Sequence, residues 1–259
     1  MKKLAAFALA CVLALSLPTA LPPIGGLSNA QMNIAGAAKL QTCESHAHMT
    51  AASSVQRAFS FKQGTELTLK IATSRRLTLS TPCDDALWES SATHIVSVSK
   101  QGMIKAKRPG VAVITARNVH SGQLATCTIK TYKKRTQAQV RRSLLALKKT
   151  YRPGRRWTNE QHYFWQAKQC HCYGCIAFAG IASNTAFGKY APLKRHASFT
   201  RIKVGDHVRI GGKHSVIVLQ KKRDTIIVAE GNYAGTLRWG RAISRDSLVQ
   251  SGFSVDTRY

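Results

Sequence analysis

The sequence predicts two folded units of different class, an all-β sandwich over residues 54–133 and an α+β unit over residues 157–259. Three observations carry this reading. Short apolar runs of period two, separated by turn residues, fill the first region. A single apolar, small-residue helical run, Ile176 to Ser183, opens the second. Strand patterns then follow with no second long helix, the order of one helix packed on an antiparallel meander.

Residues 1–30 read as an export signal. Lys2 and Lys3 form a positive n-region, Leu4 to Leu17 is apolar but too short to span a bilayer, and Ser28-Asn29-Ala30 offers small residues for cleavage. A lipoprotein reading through Cys11 fits poorly, because Ala8-Leu9-Ala10 is a weak lipobox. No later segment is apolar enough to cross a membrane, so the mature chain is expected to be secreted, with no stable membrane span. Residues 31–53, rich in Ala, Ser and Gln, form a loose lead.

The sandwich strands are expected at Phe59-Ser60-Phe61, Glu66 to Ile71, Leu77-Thr78-Leu79, Ile95 to Val98, Met103-Ile104, Val111 to Ala116 and Ala125 to Tyr132. Gly102 and Pro109-Gly110 mark turns, and Trp88 belongs in the core. Trp88-Glu89-Ser90-Ser91, Val96-Ser97-Val98, Gly102 to Ala106 and Gly110 to Ala116 together resemble the bacterial Ig-like group 2 domain. That resemblance implies an Ig-like sandwich acting as spacer or adhesive module, without chemistry of its own. Cys83 and Cys127 fall on either side of it and could form a bridge.

Residues 134–156 form a basic helix and linker. Thr136 can cap the helix, Val140, Leu144, Leu147 and Tyr151 recur on one face, and Pro153-Gly154 stops it. Ten Lys and Arg lie between Lys133 and Arg156 with no acid among them, part of a formal net charge of +28. Such a field favours polyanions. For an exported chain the nearest one is a bacterial wall, so the expected partner is peptidoglycan or another anionic cell-wall polymer. A merely solvated basic surface is the plainer alternative. No base-reading motif or aromatic interleaving points to nucleic acid.

In the second unit, Gly174-Cys175 precedes the apolar helical run. A thiol at a helix N-terminus gains thiolate character from the partial positive charge there. His214 opens a later strand and can act as base, while Glu230 or Asn232 in Glu230-Gly231-Asn232 can orient it. His207 is a competing base, and Gly205-Asp206 is a turn.

The order Gly174-Cys175-Ile176-Ala177-Phe178-Ala179, Val204-Gly205-Asp206-His207-Val208, His214 to Val218 and Ile227 to Asn232 is similar to the NlpC/P60 and CHAP branches of papain-like cysteine hydrolases. The resemblance covers roughly residues 156–259 and implies Cys175 as nucleophile, His214 as base and then acid, and Glu230 as orienting group. Asn232 is implied as an alternative third member or an oxyanion contact. It also implies a papain-like fold and cleavage of amide bonds in peptidoglycan, with no cofactor. The alternative is a wall-binding or adhesive protein whose papain-like domain is inactive.

Cys170-His171-Cys172-Tyr173-Gly174-Cys175 departs from the family pattern. It could be part of a zinc site, though no second cysteine pair follows. A Cys172–Cys175 disulfide would silence the nucleophile; the alternatives are a bond between Cys170 and Cys172 or a bond from either to Cys43.

Overall fold

The computed structural model describes residues 58–259. The expected export signal, the lead over 31–53, Cys11 and Cys43 lie outside the described residues.

Seven strands make the N-terminal part: β1 (Glu66–Lys70), β2 (Ser74–Arg76), β3 (Leu87–Ser90), β4 (Val96–Val98), β5 (Met103–Ala106), β6 (Gly110–Arg117) and β7 (Leu124–Tyr132). They form a four-stranded sheet ordered β1-β7-β6-β3 and a three-stranded sheet ordered β2-β5-β4. Only β1 with β7 is parallel among their pairings. The period-two pattern places Ala112, Ile114 and Ala116 of β6 and Ala125, Cys127 and Ile129 of β7 inward, where they meet Val96 and Ile104 of the other sheet in one core. Gly102 adopts φ +72°, and a Cβ there would stand 2.6 Å from the Trp88 ring, so both backbone and space require glycine.

Several expectations change here. Phe59 to Phe61 makes only an isolated bridge, from Phe61 to Leu79, while Ser74–Arg76 and Leu87–Ser90 form strands outside the expected set. Leu77 and Leu79 are buried as anticipated from their alternation, but the regular strand ends at Arg76. The backbone beyond it pairs irregularly, with Leu77 N–H donating to Gly102 C=O and Ser80 N–H to Ser60 C=O. Cys83 and Cys127 are both free thiols, and Cys127 is an inward-facing β7 residue filling core space.

The C-terminal part comprises α1 (Gln137–Thr150), β8 (His162–Trp165), β9 (Cys170–Tyr173), α2 (Gly174–Phe187), β10 (Lys194–His196), β11 (His207–Ile210), β12 (His214–Lys221), β13 (Thr225–Tyr233), β14 (Thr236–Ser244), α3 (Arg245–Ser251) and β15 (Phe253–Thr257). Thr136 and Gln139 form a reciprocal capping box at the start of α1. Val140 and Leu144 of α1 enter the same core as α2, so this basic helix packs with the C-terminal part. Arg141, Arg142, Lys148 and Lys149 face solvent.

Six strands form one antiparallel sheet ordered β10-β15-β11-β12-β13-β14. Alternation along β12 divides two cores. Ile217 and Leu219 join Ala177, Phe178, Ala179 and Ala182 of α2 on one side, while Val216 and Val218 join Ile226, Val228, Leu248 and Val255 on the other. Small residues let α2 lie close to its neighbours, as where Gly180 meets Trp165 of β8. Burying Phe178 alone contributes roughly 1.5–3 kcal/mol.

The cysteine-rich stretch belongs to the β8–β9 hairpin. The short helix α3 starts at Arg245, because Ser244 caps it through a bond from Ser247 N–H. The C-terminal strand β15, which has too little apolar alternation to announce itself, inserts between β10 and β11.

Candidate active site

Cys175 stands at the second residue of α2, where backbone N–H groups have no intrahelical partner. The preceding Gly174 has φ +53°, and a Cβ there would lie 2.2 Å from Asn159 Oδ1. Trp157 Nε1–H donates to the Gly174 carbonyl at 2.8 Å. Glycine is therefore what allows the chain to turn tightly into the helix with its thiol held at the mouth of the fold.

His214 begins β12 immediately after the Gly211-Gly212 turn, and its Nε2 lies 2.8 Å from Glu230 Oε2 on the adjacent β13. That contact leaves Nδ1 as the ring nitrogen for the thiol. Glu230 is fully buried, and Arg241 of β14 clamps it with Nε and Nη2 each at 2.6 Å. A buried carboxylate needs such pairing to remain ionised. Burial pushes the Glu230 pKa up, but Arg241 and His214 outweigh it and hold the group below its ordinary value.

The thiol and imidazole form a coupled pair. Burial pushes the Cys175 pKa up, yet the hydrogen bond to His214, the Ser215 backbone N–H and the charge of Arg209 bring it down to about 7. The bond to Cys175, followed by that to Glu230, lifts His214 to about 9. Between those values the stable form is thiolate with imidazolium.

Of the predicted site residues, Cys175, His214 and Glu230 are brought together. Asn232 is not in that row: with φ +55° it turns its Nδ2–H to Asn159 Oδ1 at 2.8 Å, beside Gly174 at the start of α2. His207 is not free to act as base, because both its ring nitrogens are engaged, by Asp256 and by Ser215. Cys170 and Cys172 form a disulfide across the end of β9, so Cys172 does not bridge to Cys175, which is free. Among the described residues no group of three or more His, Cys, Asp or Glu is arranged to hold a metal ion, and no helix is long and apolar enough to cross a membrane. Sequence reasoning missed Arg241 and Arg209, both isolated cations on strands of a very basic chain.

No protein-family model matches the chain, and no curated protein matches it. Similar solved structures include a bacterial Ig-like-domain-containing GH10 xylanase from termite gut, 17% identical over 32% of this chain with a TM-score of 0.23. The chain spans 23% of that xylanase's length. An intimin mutant of EHEC O157:H7 is 13% identical over 68% of this chain and 81% of its own, with a TM-score of 0.25. A C-terminal 282-residue intimin fragment, in complex with the intimin-binding domain of the translocated intimin receptor, is 11% identical over 77% of this chain and 66% of its own, with a TM-score of 0.26. The strand pairing and shared core of β1 to β7 make the N-terminal part a two-sheet β-sandwich.

Proposed function

We propose that the chain is an exported cysteine amidohydrolase that cleaves amide bonds in bacterial peptidoglycan. One observation carries the reading: a thiol at a helix N-terminus, coupled to an imidazole whose second nitrogen is bonded to a buried carboxylate. Nucleophilic acyl transfer uses this arrangement. The similarity of residues 156–259 to NlpC/P60 and CHAP hydrolases, together with the excess of basic charge, supports the wall as substrate.

The Cys175 thiolate attacks the amide carbon, and the carbonyl pair moves onto oxygen, where N–H groups at the start of α2 can receive it. Collapse of that intermediate breaks the C–N bond as imidazolium His214 gives its proton to the departing amine. Water then attacks the thioester while neutral His214 takes its proton, and collapse of that intermediate breaks the C–S bond, releasing the carboxylic acid and restoring the thiolate beside imidazolium His214. Glu230 holds the ring and stabilises its charged form. The sandwich serves as spacer, and the basic surface retains the enzyme at the anionic wall.

The test is turbidity loss and muropeptide mass analysis on purified sacculi under reducing conditions. Wild type is expected to release fragments, with at least about a thousandfold loss in Cys175→Ala. Fragment masses identify the bond cut. No release by wild type, with protein sedimenting alongside the sacculi, would replace this reading with that of a wall-binding protein.

A further inference from the structure

Beside the Cys-His-Glu row lies a second polar row that the mechanism above does not use. It crosses three neighbouring strands. Asp256 of β15 is paired in register with His207 of β11, and Arg209 of β11 with Ser215 of β12. Asp256 Oδ2 lies 3.0 Å from His207 Nδ1, and His207 Nε2 lies 3.0 Å from Ser215 Oγ. Ser215 Oγ in turn is 3.0 Å from Arg209 Nη1, which points at Cys175 Sγ from 3.9 Å. The other arm of the guanidinium, Nη2, donates to the Gly212 carbonyl at 2.6 Å.

The chemical types resemble a serine nucleophile with its base and acid, but burial argues against that use. Ser215 is wholly inaccessible, and His207 and Asp256 are 1% and 4% exposed. No substrate carbonyl can reach that hydroxyl.

The proton order follows from the groups present. Asp256 is also held by Lys168 and by Arg195 Nε at 2.9 Å, so it is the ionised acceptor of the row. His207 therefore donates from Nδ1. Burial lowers the His207 pKa and keeps the ring neutral, which makes Nε2 an acceptor. The Ser215 hydroxyl must then donate to Nε2, and its lone pairs are left facing Arg209. With Gly212 C=O below and Ser215 Oγ beside it, the guanidinium is fixed at two points against the sulfur.

We propose that Arg209 is a further catalytic residue that stabilises the Cys175 thiolate, and that Asp256, His207 and Ser215 are positioning residues that aim it. The inference rests on the reading of Cys175 as the nucleophile. Other charges near the thiol are His214, in contact with it, and the Glu230–Arg241 pair behind that ring. Arg209 supplies positive charge from a second side, one that remains when His214 gives up its proton.

The test is the pH profile of Cys175 alkylation by iodoacetamide, with no substrate present. The full chain is used with Cys11→Ser, Cys43→Ser, Cys83→Ser and Cys127→Ala as background, so that Cys175 is the one thiol outside the Cys170–Cys172 disulfide. Arg209 is partly exposed, so Arg209→Gln is expected to fold, as circular dichroism would verify. Its thiol pKa should rise by about one unit, slowing alkylation at pH 6 about tenfold. Arg209→Lys, which keeps the charge, should recover most of that rate. Ser215→Ala should shift the profile in the same direction by less, because the charge is present but no longer aimed. A wild-type profile in Arg209→Gln would overturn the proposal, reducing Arg209 to a brace for the Gly212 turn. A wild-type profile in Ser215→Ala alongside a shifted Arg209→Gln would overturn the positioning role of the row. Because alkylation needs no wall, these outcomes are distinct from failure to release fragments from sacculi.

Discussion

The sandwich and the C-terminal part bury very different chemistry. From Phe59 to Tyr132 the interior is apolar, with Thr131 its buried polar side chain. The C-terminal part buries Ser183, Asn184, Asp206, His207, Ser215, Glu230, Asp256 and Arg258. Removing charge from water is costly unless each group finds a partner, and partners are what the second part supplies: Arg241 for Glu230, Lys168 and Arg195 for Asp256, Ser183 and Asn184 for Arg258. A chain that could have filled both interiors with Leu and Val filled only one that way. Two of the strongly shifted groups, Cys175 and His214, shift one another, the pattern expected where chemistry is done, whereas Asp206 and Asp256 are shifted by their own burial and neighbours.

The largest expected effect tests whether that pairing is obligatory. Glu230→Leu leaves Arg241 and the His214 ring facing a hydrocarbon, and should destabilise the C-terminal part by about 3–5 kcal/mol in a urea titration. Sacculus cleavage should be lost as well. The Glu230→Leu, Arg241→Met double variant removes both charges and should recover much of the stability but none of the activity. Recovery of both would show that the pair has no role in holding His214.

The counterpart in the sandwich is Ile114→Ala, in the middle of β6 and wholly buried. The cavity should cost about 2–5 kcal/mol. It should leave the rate of Cys175 alkylation unchanged, which separates the two parts by function as well as by content. A slowed alkylation would mean the interiors are energetically coupled.

A third measurement sharpens the contrast through pH. Cys175 falls to about 7 and His214 rises to about 9, so the reactive ion pair exists above the first value and below the second. Cleavage should climb through pH 7, plateau near 8, and fall through 9 as His214 loses its proton. Arg209→Gln should move the acid limb upward and leave the alkaline limb in place. A profile flat from pH 5 to pH 10 would exclude a thiolate–imidazolium pair as the working form.

How far the sequence reveals this follows from the same contrast. Alternation exposes strands such as Val111 to Ala116, because each apolar side chain on a half-buried sheet records its own direction. It also exposes α2, whose apolar residues surround the helix on most sides. The chemistry of Cys175, His214 and Glu230 is legible because a thiol behind glycine, a histidine opening a strand and an acid closing one are each uncommon. Their convergence is not legible, since it depends on the β12–β13 register. Polar rows are the hardest to see. Asp206-His207-Val208-Arg209 looks like a solvated turn and strand start, although His207 lies among fully buried groups and Arg209 faces the thiol. Nothing local tells a paired buried charge from a wet one. The same difficulty hides β15, whose Asp256 ties together Lys168, Arg195 and His207 from three distant segments.

The smallest effect concerns the surface that joins the two parts. Lys148 and Lys149 lie in the last turn of α1, exposed, where positive charge is favourable against the helix dipole. Lys148→Ala with Lys149→Ala should therefore cost no more than about 0.5 kcal/mol per site, and cleavage of a small soluble amide should not change. Adsorption to sacculi is another matter, because each lysine contributes to a long-range field whose strength falls as salt screens it. The double variant should bind sacculi more weakly at low ionic strength, and the difference should vanish as salt is raised. If binding by wild type is itself indifferent to salt, the basic face is only solvated, and retention at the wall must be sought on the sandwich instead.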